Sequence, residues 1–457
     1  MKKYSLSALV AAGLLVGGLS AGSASAADLG GNCCADLEER IAELEATTAR
    51  KGNRKVSLTV SGWVGEQVMW WDDGAEQNVY VGGLGSTLAS HFKFTGQATI
   101  TPGWSAGYVI HVEAISSDAL TISQNVPKGP AALHGGFYAT QLLQSFWFIK
   151  SDHLGKLGVG LQSQASDNTA ILVDGSGSLV PANWVAFDYA GFFIRDGRTG
   201  LLSPFTWAGN AKCVGGGAIG DCNGATQNVV RYDSPTFGGF SVSASWGEDD
   251  MWDVAARYAG EFNGFKLAVA AAYNEISGEG INTCTDKANI TTGAITCSIT
   301  PSNDWFKYFQ IGAYVEHVPT GIFLYGAYGH NESELLVGDS EVWYAKVGLR
   351  ERWSPLGHTV LYGEYENATG EDAFALSGGA CAGGAGGVTC TSTTGSALGN
   401  ESEFQLWGVG IVQEIDAAAM SMWVSYRHIE QDDDFARNRN FDFEDFQYVK
   451  AGALINF

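Results

Sequence analysis

Outside the N-terminal run Leu6 to Leu19, no stretch of the 457-residue chain approaches the ~20 apolar residues a membrane-spanning helix needs. Charge is scarce as well: Asp, Glu, Lys and Arg make up 16% of the residues, against about 25% in ordinary soluble domains. Beyond the N-terminal leader, which happens to include Gly18-Leu19-Ser20-Ala21-Gly22, the chain has no G-x-S-x-G elbow, and nowhere has it an H-E-x-x-H or a G-x-x-x-x-G-K-[ST] loop. These absences exclude the commonest hydrolase, zinc-protease and nucleotide-binding signatures. The eight histidines are scattered, and His111 with Glu113 reads as a lumen pair rather than a catalytic dyad. No enzyme activity, cofactor or metal is therefore expected. The formal charge of −23 falls to −25 once Lys2 and Lys3 are removed with the leader, which is too acidic for a nucleic-acid partner.

What is abundant is glycine, 61 residues, and aromatic rings, at 12%. Glycine at that level favours tight turns over long helices. The opening "MKKYSLSALVAAGLLVGGLSAGSASA" combines two lysines, a short apolar run and the small residues Ala24-Ser25-Ala26. It is expected to be a secretory signal, residues 1–26, cut before Ala27. Beyond Cys33 and Cys34, six cysteines fall into local pairs: Cys213 with Cys222, Cys284 with Cys297, and Cys381 with Cys390. With no C-x-x-C and no histidine inside a pair, three loop disulfides in an oxidising compartment are expected in preference to zinc.

Residues 27–54 are expected to form a separate N-terminal segment, periplasmic if the chain crosses an outer membrane, and they contain the one helical pattern. Leu37, Ile41 and Leu44 share a face in "ADLEERIAELEATTARK". Two heptads are marginal alone, so a short coiled coil between chains already gathered elsewhere and a helix on its own domain or a linker both stay open.

From Lys55 the period changes to two. In "FSVSASWG" Phe240, Val242, Ala244 and Trp246 oppose Ser241, Ser243 and Ser245. Such runs predict sixteen strands, near 55–72, 87–101, 104–115, 140–151, 156–163, 228–233, 238–247, 252–261, 265–275, 305–317, 321–330, 342–353, 358–366, 404–416, 420–430 and 446–457. Their connections alternate strictly between tight turns and long segments, and every cysteine pair falls in a long one. That is the pattern of an all-β, closed antiparallel transmembrane β-barrel over residues 55–457, with short turns at one rim and long loops at the other. Unpaired amides are too costly in hydrocarbon, so the last strand must pair with the first. Its alternation, with Val449, Ala451, Ala453, Ile455 and Phe457 on one face, suits a lipid-facing seam.

The "SASA" leader end, "DLEERIAELEATTARKGNRKVSLTVSGWV", "RYDSPTFGGFSVSASWGEDDMWDVAARYAGEFNGF" and the terminal "AGALINF" resemble the outer-membrane general porins of alphaproteobacteria, of the Rhizobiales type. The resemblance implies a bacterial outer-membrane homotrimer in contact with lipid and lipopolysaccharide. It implies a terminal signal, Ile455 and Phe457, read by the barrel-assembly machinery, and a third outer loop, here residues 164–227, folded into the pore.

By alternation Lys93, Arg231, Arg257, Lys266, Lys346, Arg350, Arg352, Arg427 and Lys450 face a solvated lumen, and Asp167, Asp174, Asp188 and Asp196 lie on the third loop. Loop carboxylates facing wall cations would set a field across a constriction; ordinary solvated lumen charge is the alternative for each. Apolar Ile171, Leu172, Val185 and Phe187 are expected to pin the loop. Trp70, Trp71, Trp104, Trp246, Trp252, Trp305 and Tyr273 read as interfacial girdles. The expected function is passive diffusion of small hydrophilic solutes and ions. A solute-specific channel and a secreted β-rich carbohydrate-binding protein are the alternatives.

Overall fold

The computed structural model describes residues 56–457 apart from 86, 118, 120–121, 128–138, 184–187, 208–225, 248–249, 278–281, 285–296, 300–304, 334–338, 372–378, 385–386, 393–400 and 434–441. Several expectations therefore lie outside the described residues: the leader, the segment with Leu37, Ile41 and Leu44, and the pinning residues Val185 and Phe187. The same holds for Cys213 and Cys222, so the disulfide expected between Cys213 and Cys222 has no counterpart among the described residues.

One sheet of seventeen antiparallel strands closes on itself. Its strands are β1 (Thr59–Asp72), β2 (Gln77–Gly83), β3 (His91–Thr101), β4 (Trp104–Ile115), β5 (Ala139–Ser151) and β6 (Gly155–Gln162). There follow β7 (Gln227–Asp233), β8 (Phe240–Gly247), β9 (Trp252–Phe262), β10 (Phe265–Ser277), β11 (Trp305–His317) and β12 (Ile322–Ser333). The last are β13 (Ser340–Ser354), β14 (Gly357–Glu371), β15 (Glu401–Ile415), β16 (Met420–Asp433) and β17 (Phe446–Asn456).

The wall has sixteen positions because β2 and β3 share one. Residues 66–72 of β1 pair with β2, while residues 59–63 pair with β3. Between β2 and β3 the chain leaves the wall, and Leu84 and Leu88 of this excursion are buried inside the barrel. The sequence pattern had left Gln77–Gly83 in a loop, since "GLGST" breaks the alternation directly after it.

Closure runs through β17 and β1, from Trp63 opposite Asn456 to Asp72 opposite Gln447. Beyond the ladder Gly62 and Phe457 exchange two backbone hydrogen bonds of 3.0 Å. No lipid-facing edge is left at this seam, as hydrocarbon demands. At the short-turn rim, hairpins such as Phe262-Asn263-Gly264-Phe265 turn in two residues, with φ of +49° at Asn263 and +81° at Gly264. Asn-Gly is the pair that tolerates left-handed backbone at both central positions.

Alternation sorts the side chains by solvent. Val64, Val242, Val347, Val409 and Ile455 are exposed on the outer surface, whereas Asp253, Gln310, Glu364, Arg427 and Lys450 are buried within. A polar interior under an apolar skin inverts the arrangement of a soluble protein. Trp104, Trp246 and Trp252 stand on the outer face near strand ends, as expected of girdles. Trp71 does not: it points inward, wholly buried, with its ring centroid 5.2 Å from that of Phe192. The described residues between β6 and β7 fill much of the interior.

Candidate functional site: the inner loop and the lumen wall

The inner loop leaves β6 and follows the inside of the wall, taking a contact from strand after strand. Arg231 on β7 donates to the carbonyls of Ser163 (2.9 Å) and Gln164 (3.0 Å). On β8 the Ser245 hydroxyl accepts from the Ala165 N–H, and on β9 Asp253 accepts from the Ser166 N–H at 2.6 Å. Arg257, also on β9, donates to the Ala165 carbonyl and to Thr169 Oγ1.

On β11 Gln310 presents its whole amide. Its oxygen accepts from the Ala170 N–H at 2.8 Å and its nitrogen donates to the Ser166 carbonyl at 2.9 Å. Two residues along, Gly312 leaves a notch: a Cβ there would lie 2.1 Å from the Ala170 carbonyl oxygen. The Tyr325 hydroxyl on β12 donates to that same carbonyl at 2.8 Å. Ile171 is fully buried beside it, as expected of a pinning residue, while Leu172 turns towards open space.

Further round, the loop carboxylates meet wall cations directly. Lys346 on β13 lies 2.5 Å from Asp174 and also donates to Ser178 Oγ (2.8 Å) and Asn183 Oδ1 (2.7 Å). Arg427 on β16 donates to the Ala182 carbonyl and pairs with Glu364 at 2.8 Å. Asp188 accepts from Lys450 on β17, from Gln67 on β1 at 2.8 Å and from the Tyr448 hydroxyl at 3.2 Å. Burial alone would raise the Asp188 carboxyl, but Lys450 and Arg427 beside it hold it below the ordinary carboxylate range.

These contacts correct the solvated placing of Lys346, Arg427 and Lys450. All three are buried, and they are occupied as clasps for the loop. Alternation assigns a side chain to a face, but it does not say what fills the space before that face. Asp196 is likewise not opposite a wall cation. It sits in a hairpin of the loop, Phe193–Asp196 with Leu201–Thr206, and accepts from Thr199 Oγ1 and from the backbone of Arg198 and Asp442. That Asx-type turn was legible in "DGRT".

Arg231 is buried as well, tied to the loop carbonyls, whereas Arg257, Lys266, Arg350 and Arg352 keep some exposure. A cavity of about 350 Å³ lies between the inner loop and the short-turn rim, and its lining includes Asp167, Leu172, Arg231, Arg257, Lys266 and Glu414. Lys266 pairs with Glu316 at 3.1 Å, Arg350 holds Glu414 through two oxygens at 2.9 and 3.0 Å, and the exposed Arg352 meets Asp416 at 2.6 Å. Lys93 is half-buried on β3. Burial pushes the Asp167 carboxyl up to about 7, against the pull of Arg231 and Arg257.

A closed barrel with a polar interior and an ion-paired internal strap can pass solutes through the space that the strap leaves. A family model for Gram-negative porins matches residues 6–434. The chain belongs to that family. The porin is also similar to solved structures. OmpT of Vibrio cholerae, folded in vitro, is 13% identical with a TM-score of 0.49, over 89% of this chain and 99% of that one. An anion-selective porin from Comamonas acidovorans is 13% identical with a TM-score of 0.49, over 88% and 100%. OprB of Pseudomonas putida is 10% identical with a TM-score of 0.49, over 92% and 97%. Among curated proteins, none matches the sequence.

Several residues that hold the strap in this porin escaped the sequence reading. Gln310, Tyr325, Asp253 and Gly312 were visible only as inward positions of their strands. Arg195 of the inner hairpin pairs with Asp73, in the turn after β1, at 2.6 Å, an association across 122 residues that no local pattern signals.

Proposed function

We propose that this Gram-negative porin is a general diffusion channel of the outer membrane, passing small hydrophilic solutes and ions without catalysis. The observation that carries this reading is the inner strap: residues 163–183 are tied to the wall strand by strand, leaving a cavity beside them whose mainly apolar lining carries Asp167, Arg231, Arg257 and Lys266. The Asp167, Arg231, Arg257 and Lys266 group lines that cavity and acts as the selectivity element. Asp174 and Asp188 hold the strap in place.

The porin assembles as a homotrimer in lipopolysaccharide-containing membrane after removal of residues 1–26 and handling by the barrel-assembly machinery. Its affinity lies with alphaproteobacterial general porins. Cys284 stands opposite Cys297 and Cys381 opposite Cys390 in two-stranded hairpins, which supports local disulfides at both pairs. For Cys213 and Cys222 the proposal of a disulfide rests on their spacing in the sequence alone. Conductance steps in planar bilayers, with liposome swelling that declines smoothly with solute size and does not saturate, test the channel function. Saturable uptake of one solute would replace it with a specific channel.

A further inference from the structure

His91 on β3 and His111 and Glu113 on β4 lie together on the inner wall. The ladder sets His91 opposite Glu113 and Lys93 opposite His111. All three are buried, and one candidate ligand atom from each lies within 4.8 Å of the other two. On the far side of β4 the ladder slips: His111 pairs with Gln144 and Val112 with Leu142, so Leu143 is an extra residue. Bulges of this kind re-aim side chains beside functional sites.

The surroundings fix two of the three groups in the state that a metal needs. His91 Nδ1 is 3.1 Å from the Ala89 carbonyl. A carbonyl only accepts, so Nδ1 carries the proton and Nε2 presents its lone pair, the arrangement typical of a metal-ligating imidazole. Glu113 accepts from the Thr87 N–H at 3.0 Å and from the Gln141 amide at 2.8 Å. His111 differs. Both its ring nitrogens are buried with no hydrogen-bond partner, although the residue is only 6% exposed. Every neutral imidazole has one donor and one acceptor, and leaving each buried without a partner is unfavourable. Ring packing, with His91 4.0 Å from Trp63 and 4.2 Å from His111 between centroids, satisfies neither nitrogen.

We propose that His91, His111 and Glu113 form a three-ligand site for a divalent transition metal of the zinc type. Two imidazoles and one carboxylate suit zinc and its neighbours, whereas calcium and magnesium call for mostly oxygen ligands. Bonds of about 2.0–2.1 Å in a tetrahedron set ligand atoms roughly 3.3 Å apart, so modest side-chain rotation closes the present spacing. Thr87 and Ala89 belong to the excursion between β2 and β3, so that segment supplies hydrogen bonds that orient two of the ligands. Lys93, opposite His111 on the ladder, is of unfavourable sign for a cation, and it makes the direction of a test variant predictable.

The test is titration of the purified, folded barrel, free thiols alkylated, with zinc chloride alone. The result expected is one zinc per chain. His111→Ala and Glu113→Gln should each lower its affinity about tenfold or more, and Lys93→Gln should raise it. His428→Asn, in the separate group of His428, Glu430 and Asp445, should leave it unchanged. The zinc absorption edge of the unmodified sequence should show two imidazole nitrogens and carboxylate oxygen, and it decides the matter should His111→Ala fail to fold. Absence of stoichiometric binding, sulfur or water-only ligation, or affinity that follows His428 instead of His111 would overturn the assignment.

Discussion

Lys346 and Asp174 lie 2.5 Å apart, 172 residues distant in sequence, with neither side chain touching solvent. One belongs to the wall and the other to the strap, so their pairing ties the strap to the wall. Breaking a buried pair from one side costs about 3–5 kcal/mol, since it strands the remaining charge. Lys346→Met alone should therefore loosen the strap and give larger, noisier conductance steps. Lys346→Met with Asp174→Leu should recover quiet channels. Equal noise in the single and double variants would show that the pair does not hold the loop.

Gly312 offers a steric counterpart. A side chain there meets the Ala170 carbonyl, which cannot give way without breaking its bond from Tyr325. Gly312→Val should shift single-channel conductance while leaving the heat resistance of the barrel nearly intact. An unchanged conductance would mean that the strap does not set the pore.

The Asp167 carboxyl titrates at about 7 instead of its usual 3.8, chiefly because it is buried. The native state then binds this proton more tightly than the unfolded chain, so the group's contribution to stability falls as pH rises from 3.8 to about 7. Across the same upper range it gains a negative charge beside Arg231 and Arg257. The anion-to-cation permeability ratio, read from the reversal potential in a salt gradient, should fall as pH rises through about 7. Asp167→Asn should flatten that dependence, and a profile the substitution leaves unaltered would refute the assignment.

Two positions on β13 should differ in what a change of charge costs. Val347 is 56% exposed on the outer face, and Val347→Arg should cost about 2–4 kcal/mol if it lies near the bilayer midplane. Arg352→Ala, at an exposed surface pair, should cost under about 1 kcal/mol. Urea unfolding in lipid vesicles measures both, and equal costs would contradict the orientation of the strand.

Labelling of cysteines with and without reductant tests the loop pairs. Cys284 with Cys297, Cys381 with Cys390, and Cys213 with Cys222 should be protected from alkylation until reduced. Persistent free thiols at any pair would exclude its disulfide.

The wall was legible because its physics is local. A strand with lipid on one side and a polar interior on the other must alternate, and so "FSVSASWG" and "YAKVGLRERW" announce their own faces. The requirement that no edge meet hydrocarbon likewise dictates that the last strand pair with the first. β2 escaped because its alternation is brief and ends in the excursion that carries Leu84 and Leu88.

What occupies the interior is a matter of contacts across more than a hundred residues, and no period records those. Sequence alone determined that Lys346, Arg427 and Lys450 point inward. Only the tertiary structure decided that they meet Asp174, Ala182, Glu364 and Asp188 rather than water. The reason is that an alternating strand specifies a direction for each side chain, while its partner depends on where a separate segment finds room to lie.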